Sequence, residues 1–184
     1  LPPLSDGSPN KPLAIDCAFD GTVIALGSDH YMYRYLNMNG NWVKMTTNEQ
    51  VKSFTVGSNG LIYYISKNTN TLYKYLDVGH VLSTNRSGVS NVTVAPDGSW
   101  IFYIDSENNL KRMLPNNYND TTKDTIVDTN IKLVSCKDSN NLMYVTNDNE
   151  VRVYIGEKQY WTSPSKEQYF DESDDYLTNS LFLL

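Results

Sequence analysis

Cysteine, histidine and positive charge are all scarce in this chain. Two cysteines and two histidines among 184 residues cannot build a disulfide framework, and neither Cys17 nor Cys136 has partners at metal-ligand spacing. Both sit in short alternating segments, where a thiol serves as a small apolar group, so both are expected to be buried and free. Lys and Arg total 15 against 21 Asp and Glu, a formal charge of −6, which lacks the basic footprint of a nucleic-acid binder. No apolar run is long enough to cross a bilayer as a helix, and the first residues carry neither a charged region nor a hydrophobic stretch of signal-peptide type. Residue 1 is Leu, so removal of an upstream segment is expected. Composition leaves the compartment open.

What is present is repetition. Phe54-Thr55-Val56, Asn59-Gly60, Ile62-Tyr63-Tyr64-Ile65 and Leu72-Tyr73-Lys74-Tyr75 line up with Val92-Thr93-Val94, Asp97-Gly98, Ile101-Phe102-Tyr103-Ile104 and Leu110-Lys111-Arg112-Met113. An earlier copy runs through Asp20-Gly21 to Tyr33-Arg34-Tyr35, and a later one has Asn140-Asn141, Leu142-Met143-Tyr144-Val145 and Val151-Arg152-Val153-Tyr154. The turns recur every 38 to 43 residues. That period belongs to propeller-type arrays.

Each copy reads as a meander of four strands. An alternating first strand enters an Asp-Gly or Asn-Gly pair, expected to make a two-residue hairpin turn. The second strand is apolar on both sides, as a strand must be when its sheet lies between two others. Polar turns then lead to a third strand with aromatic-basic-aromatic alternation, and the outer fourth strand is marked by Trp42-Val43-Lys44, Val81-Leu82, Ile126-Val127 and Tyr160-Trp161. A single sheet of this size cannot bury both its faces, so the copies must stack radially. The predicted fold is an all-β propeller-like array of four blades, over residues 14–50, 51–88, 89–130 and 131–161, forming a four-bladed ring or part of a larger one. Residues 162–184 follow as a tail or closing segment, whose apolar end Leu181, Phe182, Leu183 and Leu184 is expected to close the ring or join a neighbouring protomer.

Catalytic parts are missing from the pattern. His30 and His80 occupy non-equivalent loops with no nucleophile motif around them, and the acidic stretches lack calcium-loop spacing. No catalytic residue, metal or cofactor is assigned. Asp16 is the only carboxylate on an inner strand that a glycosidase reading could use, against the simpler role of a partner for a turn amide or for the channel water.

Tyrosine is the excess, with 14 copies. Aromatic faces bind sugar C–H surfaces and protein hot spots alike. The candidate ligand-binding residues are therefore Tyr31, Tyr33 and Tyr73 from third strands, with Trp100 and Tyr118, the last lying in the long insertion over residues 114–128. The alternative for the third-strand tyrosines is packing between blades. The ligand is a glycan or a protein surface.

Residues 14–45, with Ala-Ile-Asp-Cys-Ala-Phe-Asp-Gly-Thr-Val-Ile-Ala-Leu-Gly-Ser-Asp, then Tyr-Arg-Tyr and Asn-Trp-Val-Lys-Met, resemble a tectonin repeat. Repeats two and three follow that pattern without the outer-strand Trp, and repeat four replaces the Asp-Gly turn by Ser139-Asn140-Asn141. The resemblance implies a non-enzymatic binding module, a tectonin-like carbohydrate-binding lectin, or alternatively a scaffold that binds other proteins within a larger assembly.

Overall fold

The computed structural model describes residues 1–18, 20–36, 40–45, 47, 49–76, 80–155 and 158–162. Sixteen strands form four antiparallel sheets in strict chain order. Blade 1 consists of β1 (Pro12–Cys17), β2 (Val23–Gly27), β3 (Met32–Leu36) and β4 (Asn41–Lys44). Blade 2 has β5 (Val51–Gly57), β6 (Leu61–Ser66), β7 (Leu72–Tyr75) and β8 (Val81–Arg86). Blade 3 has β9 (Asn91–Val94), β10 (Ile101–Ile104), β11 (Leu110–Met113) and β12 (Thr125–Asp128). Blade 4 has β13 (Ile131–Asp138), β14 (Asn141–Thr146), β15 (Val151–Ile155) and β16 (Lys158–Thr162). The four-bladed all-β array predicted from the repeats is thus present, while the expected role of residues 181–184 falls outside the described residues.

The blades meet through three apolar seams among the described residues. Ile24, Leu26 and Met32 of blade 1 pack against Val56, Ile62, Tyr64 and Tyr75 of blade 2. Tyr63, Ile65 and Leu72 on the other side of blade 2 meet Val92, Val94, Ile101, Tyr103 and Met113. Phe102, Ile104 and Leu110 meet Val134, Leu142 and Tyr144. Alternation along each strand explains the arrangement, since neighbouring residues point to opposite faces and each face finds a different blade. Burial follows from it: β10 is buried at every position, whereas β14 alternates buried and half-buried because the described residues cover only one side of blade 4. Leu133, on the uncovered side, is 52% exposed, and Ile15 at the opposite end of the array is 66% exposed. Among the described residues, blades 1 and 4 therefore do not bury each other, and the four form an arc with two end faces.

Backbone bonds repeat with the blades. The amides of Val51, Val89 and Ile131, each opening an inner-strand segment, donate to the carbonyls of His30, Asn70 and Asn108 of the preceding blade. Those three acceptors all hold positive φ, at 62°, 52° and 62°, which turns the carbonyl outward at the end of the β2–β3, β6–β7 or β10–β11 turn. Pro12 pairs with Gly27 as Val51 pairs with Ser66 and Ile131 with Thr146. Proline has no N–H, so this clasp cannot form on the free side of blade 1.

Two expectations are corrected. The turns at Asp20-Gly21 and Asp97-Gly98 are not two-residue hairpins: only the glycines have positive φ, at 83° and 73°, and Gly21 and Gly98 donate to the carbonyls of Ala18 and Ala95. A four-residue turn ending in a left-handed glycine carries the reversal, which a type I′ turn with two positive φ angles would not. Cys17 is exposed, not buried, because it points to the free face of blade 1; Cys136, on a seam face, is half-buried. Neither forms a disulfide.

Candidate binding face on the first blade

The side of blade 1 that has no neighbouring blade carries an aromatic and charged patch. Cross-strand pairing sets Tyr33 opposite Lys44 and Tyr35 opposite Trp42, so these four side chains share one face, as directly opposed residues must. Lys44 Nζ lies 3.5 Å from the centre of the Tyr31 ring, and Tyr35 and Trp42 meet with centroids 5.2 Å apart at 53°. Asp29, in the β2–β3 turn, accepts from the Tyr33 hydroxyl at 2.6 Å and from the Tyr31 amide at 3.3 Å, and lies 3.6 Å from Lys44 Nζ.

Its electrostatics follow from these contacts. Burial pushes the Asp29 carboxyl upward, but the Tyr33 hydroxyl, the Tyr31 amide and Lys44 outweigh it and hold the group below the usual carboxylate range. The Tyr33 phenol is pushed up to about 12, first by burial and then by its bond to Asp29. The constellation is an ion and hydrogen-bond network with aromatic rims.

The N-terminal stretch supports this face. Asn10 is buried, and its side chain lies so close to Gly27 that a Cβ there would come within 2.5 Å of Asn10 Oδ1. Glycine at 27 is what lets this stretch approach, and Ala25 and Tyr33 beside it are buried without a neighbouring blade. Nearer the arc's inner edge, Leu13, Ile15 and Cys17 remain open.

Of the five residues singled out from the sequence, the structure brings together only Tyr31 and Tyr33. Tyr73 lies in the seam between blades 1 and 2, stacked on Tyr64 at 5.2 Å and 17°, with its hydroxyl donating to Glu49 Oε1 at 2.6 Å. Trp100 packs beside the seam of blades 3 and 4, with the Arg112 guanidinium 4.7 Å from its ring. Tyr118 sits in the long insertion, 5.2 Å from Lys74 Nζ. That insertion is pinned down: Arg86 donates to the carbonyls of Asn117, Tyr118 and Asp120, and pairs with Asp124. Asp16 accepts from the Val56 amide across the first seam at 2.9 Å and from its own neighbour Cys17, so its partner is a strand amide of the next blade and not the turn amide or channel water expected.

Trp42, Lys44 and Asp29 were not among the predicted site residues. The signal was the Trp-x-Lys alternation of the outer strand, which places both on one face once the strand is recognised. Which face would be free was not visible locally.

The radially stacked four-stranded meanders define a β-propeller architecture. No family model and no curated protein matches the chain, but solved β-propeller structures do. Virginiamycin B lyase from Staphylococcus aureus aligns with a TM-score of 0.61 at 12% identity, over 90% of this chain and 62% of that one. YCF48 from Cyanidioschyzon merolae aligns at 0.59 and 16%, over 88% and 61%. A structure of YCF48 bound to D1 peptide aligns at 0.58 and 14%, over 85% and 55%. At these identities the likeness concerns the fold. The chain spans 55–62% of the length of these structures.

Proposed function

We infer that the protein is a binding module for an extended polypeptide segment, held on the free face of blade 1 by Tyr31, Tyr35, Trp42 and Lys44. The observation that carries this reading is that the equivalent face of blades 2, 3 and 4 is buried in a seam, while in blade 1 it holds half-exposed Tyr31, Tyr35 and Trp42 beside an exposed lysine. Tyr and Trp next to charge is the composition of protein-binding hot spots. The lectin expected from the tectonin resemblance needs an aromatic face open for a sugar ring. Lys44 lies over Tyr31, Arg112 over Trp100 and Tyr64 against Tyr73, which favours the protein-binding alternative. Peptide recognition on a related architecture, as in YCF48 with its D1 peptide, agrees with it.

The test is a peptide array probed with the full chain, run beside a glycan array. Reproducible peptide binding that is lost in Trp42→Ala and Lys44→Gln, with the β-sheet circular dichroism spectrum retained, supports the reading. Glycan binding with a silent peptide array would replace it with the lectin.

A further inference from the structure

The segment before β1 sets a carboxamide into the blade 1 face. A Cβ at Gly27 would lie 2.5 Å from Asn10 Oδ1, 2.8 Å from Asn10 Nδ2 and 2.6 Å from Asp29 Oδ1. The Asn10 amide and the Asp29 carboxylate thus converge on the hollow that this glycine leaves. Asn10 is 5% exposed. Its Oδ1 accepts from Ser28 Oγ at 3.2 Å, whereas its Nδ2 is buried and, among the described residues, makes no hydrogen bond of normal geometry. The group still acts on its neighbours. Burial raises the Asp29 carboxyl, and Asn10 joins Tyr33, Tyr31 and Lys44 in bringing it below its ordinary value. Tyr33, bonded to the other oxygen of Asp29, is itself buried.

The hold of this segment on the blade is slight. Among the described residues, the backbone hydrogen bonds of residues 1–11 stay inside the segment, from the Leu4 amide to Ser8 and from the Gly7 amide to Leu4. The Lys11 amide donates to Ser28 Oγ at 3.2 Å. Pro12 has no N–H for the clasp that ties Val51, Val89 and Ile131 to the preceding blade. Side-chain contact around Gly27 is therefore what seats the segment, and it leaves one donor unsatisfied. A buried donor without an acceptor is a penalty that a better-placed group removes.

An asparagine side chain offers a carbonyl acceptor beside amide donors, which is the chemistry of a peptide group. We propose that Asn10 stands in the place of a peptide group of the ligand, and that residues 1–11 are a displaceable strap competing with an extended polypeptide for the blade 1 face. This rests on the reading of that face as a polypeptide site. In the bound state a ligand N–H takes the Asp29 carboxylate and a ligand carbonyl takes the Ser28 hydroxyl. Withdrawal of the strap adds Tyr33 and Asp29 to the surface made by Tyr31, Tyr35, Trp42 and Lys44.

The experiment locks and releases the strap in one protein. Lys11 and Ser28 flank the pair formed by Pro12 and Gly27, so Lys11→Cys and Ser28→Cys are introduced together into the full chain carrying Cys17→Ser and Cys136→Ala. Oxidation is expected to join them within a monomer, as read by mass spectrometry; failure to do so means that the segment is not seated there. Peptide binding is then measured on the same array before and after reduction. The reduced form is expected to bind about tenfold more tightly, since the lock withdraws the competent state. Equal binding in the two forms overturns the strap and leaves the polypeptide reading standing. Silence in both forms and in the wild type overturns that reading instead, and the seating of Asn10 is decided without any peptide, by following the Asp29 carboxyl by NMR through an acid titration. Asn10→Ala is expected to raise its midpoint. An unmoved midpoint shows that Asn10 is not set against Asp29 and overturns the strap.

Discussion

Arg86 of blade 2 and Asp124 of blade 3 form an ion pair with an N–O distance of 2.5 Å, and their side chains are only 3% and 4% exposed. The pair is not isolated. Tyr103 donates its hydroxyl to Asp124 at 2.5 Å, and the guanidinium also reaches the carbonyls of Thr84, Tyr118 and Asp120. Removing one partner would leave the other charge buried and unpaired, which costs about 3–5 kcal/mol. The Arg152–Glu150 pair, whose side chains are 23% and 44% exposed, is reached by solvent and is worth about 1 kcal/mol. Asp124→Ala should therefore lower the thermal midpoint far more than Glu150→Ala, and protease should then cut the insertion over residues 114–124. Equal midpoints for the two variants would refute this account of the loop.

Backbone proximity makes a second prediction at the next seam. Gly57 ends β5 where blade 3 approaches, and a Cβ there would lie 2.5 Å from Val94 Cγ1. Its φ is not in the left-handed region, so the demand is for space alone. Gly57→Ala should cost about 1–3 kcal/mol as an overpacked site, and Val94→Ala in the same chain should restore part of the loss. Denaturant unfolding of the two single variants and the double variant measures this coupling.

The two thiols differ in what they face. Burial, and then the nearby carboxylates of Asp138 and Asp97, push the Cys136 thiol up to about 12, while Cys17 lies open on the free face of blade 1. Thiolate is the reactive form, so iodoacetamide at pH 8 should label Cys17 quickly and Cys136 only after unfolding. Peptide mapping of the labelled native protein checks it, and prompt labelling of both would contradict the burial of Cys136 in the third seam.

The sequence revealed the repeats because packing repeats with them: Ile62, Ile101 and Leu142 are alike because each enters the same kind of seam. Turn chemistry was partly legible, with glycine at positive φ in Gly21 and Gly98 but the turn longer than its dipeptide suggested. The candidate site was less legible. Tyr33 and Tyr73 are equivalent in pattern, yet one lies on an end face and the other in a seam, a difference set by blade order and not by local residues. The ion pair of Arg86 with Asp124 could not be read at all, since its members are 38 residues apart and belong to different blades.

Acid should weaken the candidate binding face in a defined window. Asp29 has a carboxyl pKa held below its ordinary value of 3.8, so its ionised form is favoured in the folded protein. A depressed folded-state value contributes stability above the unfolded value and loses it as pH falls through the folded one. At pH 7 the charge-assisted bond from Tyr33 is fully present. Asp29→Asn keeps an acceptor for that hydroxyl but removes the charge, and should cost about 1.5 kcal/mol, the low end for a hydrogen bond to a charged group. The gap between wild type and Asp29→Asn should then be constant from pH 7 to about pH 5 and shrink toward zero below pH 3.8, as wild-type Asp29 itself becomes neutral. Thermal melts of the two proteins across that range measure it. A gap that persists undiminished below pH 3 would mean that the network does not depend on the Asp29 charge, and that Lys44 and Tyr33 are positioned by packing alone.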